Sequence, residues 1–177
     1  MYLMRHPLSQ TEGTALMGSF GVFGIGSPFG ADVIAWQVVA LLPGILPENM
    51  SNRLSYRNLD RPGVRLLDHL QHCSAAIILD AVQLDLEPAC VLPVREEDFA
   101  AESSAFSSHN FGLGETLVLG RCLGELPSLL VLGISVGKDP NHVPLEKEVQ
   151  RAAHGVARHC EIFFQEQMRQ QQERVRA

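Results

Sequence analysis

The fold is decided by one stretch, Phe20-Gly21-Val22-Phe23-Gly24-Ile25-Gly26-Ser27-Pro28-Phe29-Gly30-Ala31-Asp32-Val33-Ile34. The apolar run over residues 18–26 predicts a strand, and the glycine-rich segment after it predicts a tight turn. The apolar spacing from Ala31 to Leu42 predicts a helix that ends at Pro43-Gly44. Asp32 is then expected near the carboxyl end of the first strand, where open α/β sheets place their binding sites.

Strands and helices are expected to alternate along the rest of the chain. The continuous apolar run Ser74–Val82 is typical of a strand that is buried on both faces of a parallel sheet. The further predicted strands are Arg53–Leu59, Cys90–Val94 and Ser128–Val136, and the further predicted helices are Arg61–His72, Gly114–Leu123 and Pro144 to about Arg174. We expect Val64 and Ile162 on the buried faces of two of these helices. The pattern predicts a three-layer α/β/α sandwich with a mainly parallel twisted sheet.

Length and composition favour one α/β domain. Of the 177 residues, we expect 1–17 to be a flexible N-terminal extension, 18–165 the domain and 166–177 a polar helical tail. The net charge of −6 argues against nucleic acid and against an anionic membrane as partners. No apolar run approaches the roughly 18 residues of a membrane span. The four cysteines are dispersed without a CxxC pair, which favours a reduced, cytoplasmic setting and argues against a zinc knuckle.

Two carboxylates and a histidine are all expected at the carboxyl edge of the predicted parallel sheet. Asp32 follows the first strand, Asp80 ends the Ser74–Val82 run, and His109 follows an acidic, serine-rich segment predicted to be a loop. Such a set suits a divalent transition ion with open positions for water or substrate. Each residue also has a simpler interpretation. Asp32 could cap the helix that begins there, Asp80 could be paired with another group, and His109 could be an ordinary loop residue.

Other site classes fit the sequence poorly. The dinucleotide pattern G-x-G-x-x-G fails, because Phe29 stands where the third glycine is required and Gly30 comes one place late. Pro28 also removes a backbone N–H that would contact phosphate. No phosphate-binding Gly-Lys-Ser/Thr and no G-x-S-x-G motif is present. A cysteine nucleophile stays open, although no cysteine lies in an evidently electropositive turn.

Three motifs in the same order resemble those of the nickel–iron hydrogenase maturation endopeptidases. The first is the turn from Gly24 to Asp32, similar to the family's Gly-x-Gly-Asn/Ser-Pro turn with a carboxylate pair behind it. The second is the strand end Ile77–Val82, with Leu86-Glu87-Pro88 downstream. The third is Ser107-Ser108-His109-Asn110 before a helix. The turn Gly124–Pro127 and the strand after it are also similar.

The resemblance covers about Phe20 to Gly137 and implies a function. It implies that Asp32, Asp80 and His109 bind a metal ion and that Asp32 or Asp80 acts as a catalytic base. The chain would be a metal-dependent, aspartic-type endopeptidase that removes the C-terminal extension of a hydrogenase large-subunit precursor, its partner. The ion would be nickel carried by the substrate, and zinc or cadmium could occupy the same site. Such an ion polarises the scissile carbonyl or activates a bound water.

The turn departs from the family pattern at one position. Ala31 stands where the family has the first carboxylate of the pair. An alignment with a one-residue gap places Asp32 at the ligand position, whereas an ungapped alignment places Val33 there; we prefer the gap. Two alternatives follow from this departure and from the fold. The chain could be a non-catalytic, metal-sensing maturation scaffold, or a nucleoside- or peptide-processing hydrolase with the same sheet.

Overall fold

The computed structural model of the chain describes residues 19–95, 98, 112–139 and 142–176. The strands are β1 (Ser19–Gly26), β2 (Leu54–Asp60), β3 (Cys73–Val82), β4 (Val91–Pro93) and β5 (Ser128–Ser135). The helices are α1 (Val33–Ile45), α2 (Glu48–Ser51), α3 (Leu66–Leu70), α4 (Leu113–Leu123) and α5 (Glu146–Arg176). Short 3-10 turns at Gly30–Asp32 and Gly63–Arg65 precede α1 and α3.

The described strands form a mainly parallel sheet with the order β2-β1-β3-β5-β4. β1 pairs in parallel with β2 and β3, and β3 pairs in parallel with β5. β4 is antiparallel to β5. β1, β2, β3 and β5 therefore end on the same side of the sheet, which we call the carboxyl edge. The connection after β1 carries Asp32, Asp60 ends β2, and Asp80 lies near the end of β3.

Apolar side chains cover both faces of the sheet, which confirms the three-layer architecture. On one face, α1 and α5 pack against alternate residues of the central strands, in a core that includes Val22, Ile77 and Leu132. On the other face, α3 and α4 pack against Phe23 and Ile78. Because both faces of β3 are covered, residues 75–79 are all fully buried, and the strand shows no polar alternation.

The helix after β1 is longer than its sequence indicates. The expectation that Pro43-Gly44 ends this helix is wrong, since α1 continues through Pro43 to Ile45. Proline removes one backbone N–H from the helical hydrogen bonds. The last turn nevertheless closes, because Leu46 N donates to Leu42 O at 2.9 Å. Leu42 is fully buried, so packing against the sheet stabilises the last turn.

Two residues expected in the core are exposed. Val64 is 45% exposed, because it lies in a 3-10 turn that precedes α3, and the tighter winding of that turn changes which side chains face inward. The predicted helix Arg61–His72 is accordingly reduced to the 3-10 turn and α3. Ile162 is 72% exposed and lies two positions from both Cys160 and Phe164, which are fully buried. Two residues correspond to about 200° of helix rotation, so Ile162 faces away from the sheet.

The predicted domain boundaries stay predictions. Residues 1–17 lie outside the described residues. α5 runs without interruption from Glu146 to Arg176 and therefore crosses the boundary expected at residue 165. Among the described helices, none is both long and apolar enough to cross a membrane.

Candidate active site

The turn after β1 brings the start of α1 against the end of the strand. A Cβ atom at Gly26 would overlap the carbonyl oxygen of Asp32, so only glycine permits this approach. Gly30 has φ of 62°, a left-handed conformation that favours glycine. The glycines of the motif therefore place Asp32 beside the carboxyl end of β1.

The side chain of Asp32 is held from within the turn. The Ser27 hydroxyl lies 3.2 Å from Asp32 Oδ2 and 3.2 Å from the carbonyl oxygen of Phe29, within reach of donating to either. Asp32 occupies the N-cap position of α1, yet its side chain makes no capping hydrogen bond. The capping interpretation therefore does not account for this carboxylate.

Asp80 lies in β3 at the carboxyl edge, opposite Gly133 of β5. β3 continues for two residues beyond it, so Asp80 lies near the end of the strand rather than at it. Burial raises the pKa of the Asp80 carboxyl, the backbone N–H of Ala81 lowers it, and the negative charge of Asp32 raises it further, to about 8 in total. Asp80 is therefore a carboxyl group that holds its proton close to neutral pH.

The structure thus brings Asp32 and Asp80 together, although 47 residues separate them in the sequence. The parallel pairing of β1 with β3 places the turn after β1 beside the end of β3, and the negative charge of Asp32 raises the pKa of the Asp80 carboxyl. Two carboxyl groups in a partly desolvated position repel each other when both are ionised, and a divalent cation between them would relieve that repulsion. The donor set therefore fits a divalent metal ion bound by oxygen ligands.

His109, the third predicted ligand, lies outside the described residues. In the part of the chain that the structure describes, no group of three His, Cys, Asp or Glu side chains is arranged to hold a metal ion. The three-ligand arrangement therefore stays a prediction, and the described part of the site consists of two carboxylates.

A third acidic residue and a cation lie at the same edge, and the sequence interpretation did not include them. Asp60 pairs in register with Gly26, and Arg61 N donates to Gly26 O at 3.2 Å. Arg61 and Asp60 form an ion pair at 2.6 Å. The bond to Asp60, the charge of Asp60 and then the charge of Asp32 raise the pKa of Arg61. Asp60 ends a strand next to β1, which is the signal that could have identified it.

The single tryptophan also lies beside the turn. The indole nitrogen of Trp36 lies 3.6 Å from the position that a Cβ atom on Gly26 would take. This N–H is buried and has no hydrogen-bond partner among the described residues. Trp36 is one helical turn beyond Asp32, so its fluorescence is a natural reporter of changes at the site.

Comparison with known proteins identifies the family. A sequence model described as hydrogenase maturation protease matches residues 62–161, more than half of the chain. No curated protein matches the chain by sequence.

Solved structures of similar proteins have the same fold. The hydrogenase maturating endopeptidase HybD of E. coli aligns with a TM-score of 0.65 and 22% identity, over 84% of this chain and 93% of that one. The [NiFe] hydrogenase maturation protease HycI of Thermococcus kodakarensis aligns with a TM-score of 0.60 and 16% identity, over 81% and 93%. An endopeptidase from Escherichia coli aligns with a TM-score of 0.62 and 24% identity, over 80% and 88%. On the family match over residues 62–161, the chain belongs to the hydrogenase maturation protease family.

Proposed function

We propose that this protein is a metal-dependent endopeptidase that removes the C-terminal extension from the large-subunit precursor of a [NiFe] hydrogenase. The observation that carries the proposal is the placement of Asp32 and Asp80 at the same carboxyl edge of two neighbouring parallel strands. Family membership supports the reaction class, and the names of the structural neighbours support the substrate.

The two carboxyl groups suit proton transfer during peptide hydrolysis. In the absence of a bound cation, the Asp80 carboxyl has a pKa of about 8 and gains and loses its proton near neutral pH. General acid–base catalysis is most effective when the pKa of the group lies near the working pH. Asp80 or Asp32 would accept a proton from the attacking water, and the protonated form would supply one to the leaving amine. Ser27 would keep Asp32 in place during this exchange.

We propose that a metal ion binds at the same site. Asp32, Asp80 and His109 would hold it, and when bound it would polarise the scissile carbonyl or lower the pKa of a water molecule. Nickel is proposed to arrive as part of the substrate, in the loaded precursor. Contact between that nickel and the two carboxylates would make cleavage conditional on loading, because an empty precursor offers no cation to the pair.

The setting that we propose is the reducing cytoplasm. All four cysteines are free, and two of them, Cys90 and Cys122, are exposed. Free exposed thiols are typical of proteins in reducing compartments.

The test is the mass of a hydrogenase large-subunit precursor before and after incubation with this protein. Nickel-loaded precursor should lose the mass of its C-terminal extension, and nickel-free precursor should stay intact. A complex that forms without any change in mass would overturn the peptidase proposal and favour the scaffold. Neither binding nor cleavage, with a precursor from the same organism, would exclude both functions.

A further inference from the structure

Phe29 exposes an aromatic ring beside the carboxylate pair. It lies in the turn between β1 and α1, three residues before Asp32, and is 75% exposed. Phenylalanine is among the residues that are most often buried. A single exposed apolar residue needs no explanation on its own, but Phe29 lies in a constrained turn and shares its edge of the sheet with other exposed apolar side chains.

The backbone of Phe29 is fixed by the residues on both sides. Its N–H points to the Ser27 hydroxyl at 3.5 Å, a weak bond, and its carbonyl oxygen lies 3.2 Å from the same hydroxyl. Pro28 restricts the backbone before it, and Gly30 follows in the left-handed conformation. Because Ser27 also contacts Asp32 Oδ2, one side chain joins the backbone of Phe29 to the carboxylate. The backbone that carries the ring is therefore fixed relative to Asp32 before any ligand arrives, which lowers the entropy cost of binding.

Other connections at the carboxyl edge also carry exposed apolar side chains. Leu86 lies in the connection after β3, and Val143 lies in the connection after β5. Leu145 in the connection after β5 is exposed as well, so the segments that leave β1, β3 and β5 at this edge each present at least one large apolar side chain to solvent. Two cations at this edge are already paired, Arg61 with Asp60 and Lys138 with Asp85. The carboxyl edge therefore presents apolar side chains as well as the two carboxylates.

We propose that Phe29 is a specificity-determining residue that packs against an apolar side chain of the precursor next to the bond that is cut. This inference rests on the proposed function and names the chemistry that the site selects: an extended segment with an apolar residue adjoining the scissile bond. An apolar side chain on the substrate would remove the ring from water, and an aromatic ring supplies more contact area than most other side chains. Packing at Phe29 would then contribute the same binding energy to the bound substrate and to the transition state, which lowers KM and leaves kcat nearly unchanged.

The test compares Phe29→Ala and Phe29→Leu with Ile162→Ala, a matched control in which an exposed apolar residue is truncated on α5. Ile162 is two residues from Phe164, which contacts Phe20 at the opposite edge of the sheet, with ring centroids 5.3 Å apart. With nickel-loaded precursor, Phe29→Ala should raise KM at least tenfold and change kcat less than twofold. Phe29→Leu should recover part of the loss, and Ile162→Ala should behave as wild type. A KM of Phe29→Ala equal to that of wild type would overturn the inference.

Binding measurements separate this inference from the proposed function. If the wild-type protein does not cleave the precursor, the peptidase proposal fails, and the dissociation constant of the uncleaved complex still tests Phe29. Phe29→Ala should then raise that constant at least tenfold, whereas an unchanged constant would overturn the inference. Sedimentation tests whether a second copy of this chain, rather than the precursor, packs against Phe29. A wild-type dimer that Phe29→Ala dissolves would assign the ring to self-association and contradict the proposal.

Discussion

Asp80 and Asp32 come from different parts of the chain and lie at one edge of the sheet, where burial, and then the charge of Asp32, raise the pKa of the Asp80 carboxyl to about 8. A protein that held these groups only for stability would gain by replacing one of them, because buried carboxylates without a counter-charge are costly. Their placement at one edge is what the proposed catalytic or metal-binding role would use.

Replacing Asp80 with Asn should make the metal-free protein more stable at high pH. The carboxyl has a pKa near 3.9 in an unfolded chain and about 8 in the folded protein, so the folded state binds more protons between these values. Stability that involves this group is therefore lost as the pH rises through this window. The advantage of Asp80→Asn over wild type should grow by about 1.4 kcal/mol per pH unit. Urea unfolding between pH 5 and 8, with a chelator present, measures it.

A matched control for the Asp80 experiment is Asp85→Asn. Asp85 is an exposed carboxylate that pairs with Lys138 at 2.8 Å. Its variant should follow the wild-type stability at every pH, since exposed pairs contribute little. Parallel curves for wild type and Asp80→Asn would contradict the raised pKa.

Substituting Gly26 with Ala should destabilise the protein and displace Asp32. The new Cβ would overlap the Asp32 carbonyl oxygen, so the strand and the start of α1 must separate, at a cost of about 1–3 kcal/mol. Gly44 is the comparison, because a Cβ there meets nothing within 4 Å and lies in a helix. Gly44→Ala should stabilise by up to about 1 kcal/mol. Equal effects in urea unfolding would show that the close approach at Gly26 does not constrain the turn.

Removing the Ser27 hydroxyl should affect activity more than stability. Ser27→Ala deletes one hydrogen bond of about 1 kcal/mol and leaves Asp32 Oδ2 without its partner in the turn. Precursor cleavage should fall about tenfold, because a misplaced catalytic group is costly. Ser55→Ala removes a similar bond, from Ser55 Oγ to Phe20 O at 3.2 Å, at the other end of the strands. Cleavage that falls equally in both variants would mean that Ser27 has only a structural role.

Truncating Phe164 should test whether α5 belongs to the core. Phe164 is fully buried and packs against Phe20 on the sheet face covered by α1 and α5. Phe164→Ala should cost about 3–5 kcal/mol in thermal or urea unfolding. Ile162→Ala should change stability by no more than about 0.5 kcal/mol, since this residue faces solvent. The reverse order of the two effects would restore the original assignment of Ile162 to the core.

Much of the fold could be predicted because its signals are local. The unbroken apolar run of β3 indicates a strand covered on both faces, and the glycines after β1 indicate the turn before α1. The position of Asp32 and Asp80 at one edge then follows from parallel strands, whose ends meet on one side. That inference required only the strand directions.

The parts that could not be predicted depend on tertiary contacts. Pro43 does not end α1, because burial of Leu42 outweighs one missing hydrogen bond. The three residues of β4 do not indicate its antiparallel direction, although its short connection from β3 excludes a helical crossover. Arg61 has φ of 40°, and neither this conformation nor its proximity to Asp32 has a local signal. Asp60 lies at the carboxyl edge because β2 pairs with β1, a long-range contact that the sequence around Asp60 does not indicate.

The most direct test of the central claim, that Asp32 and Asp80 work as one catalytic pair, is the cleavage rate of nickel-loaded precursor by Asp32→Asn, Asp80→Asn and the double variant. We expect each single variant to lose nearly all cleavage while staying folded. The double variant should be no slower than either single variant, because groups that act as a unit are not additive. A single variant that cleaves at the wild-type rate, or losses that simply multiply in the double variant, would contradict the claim.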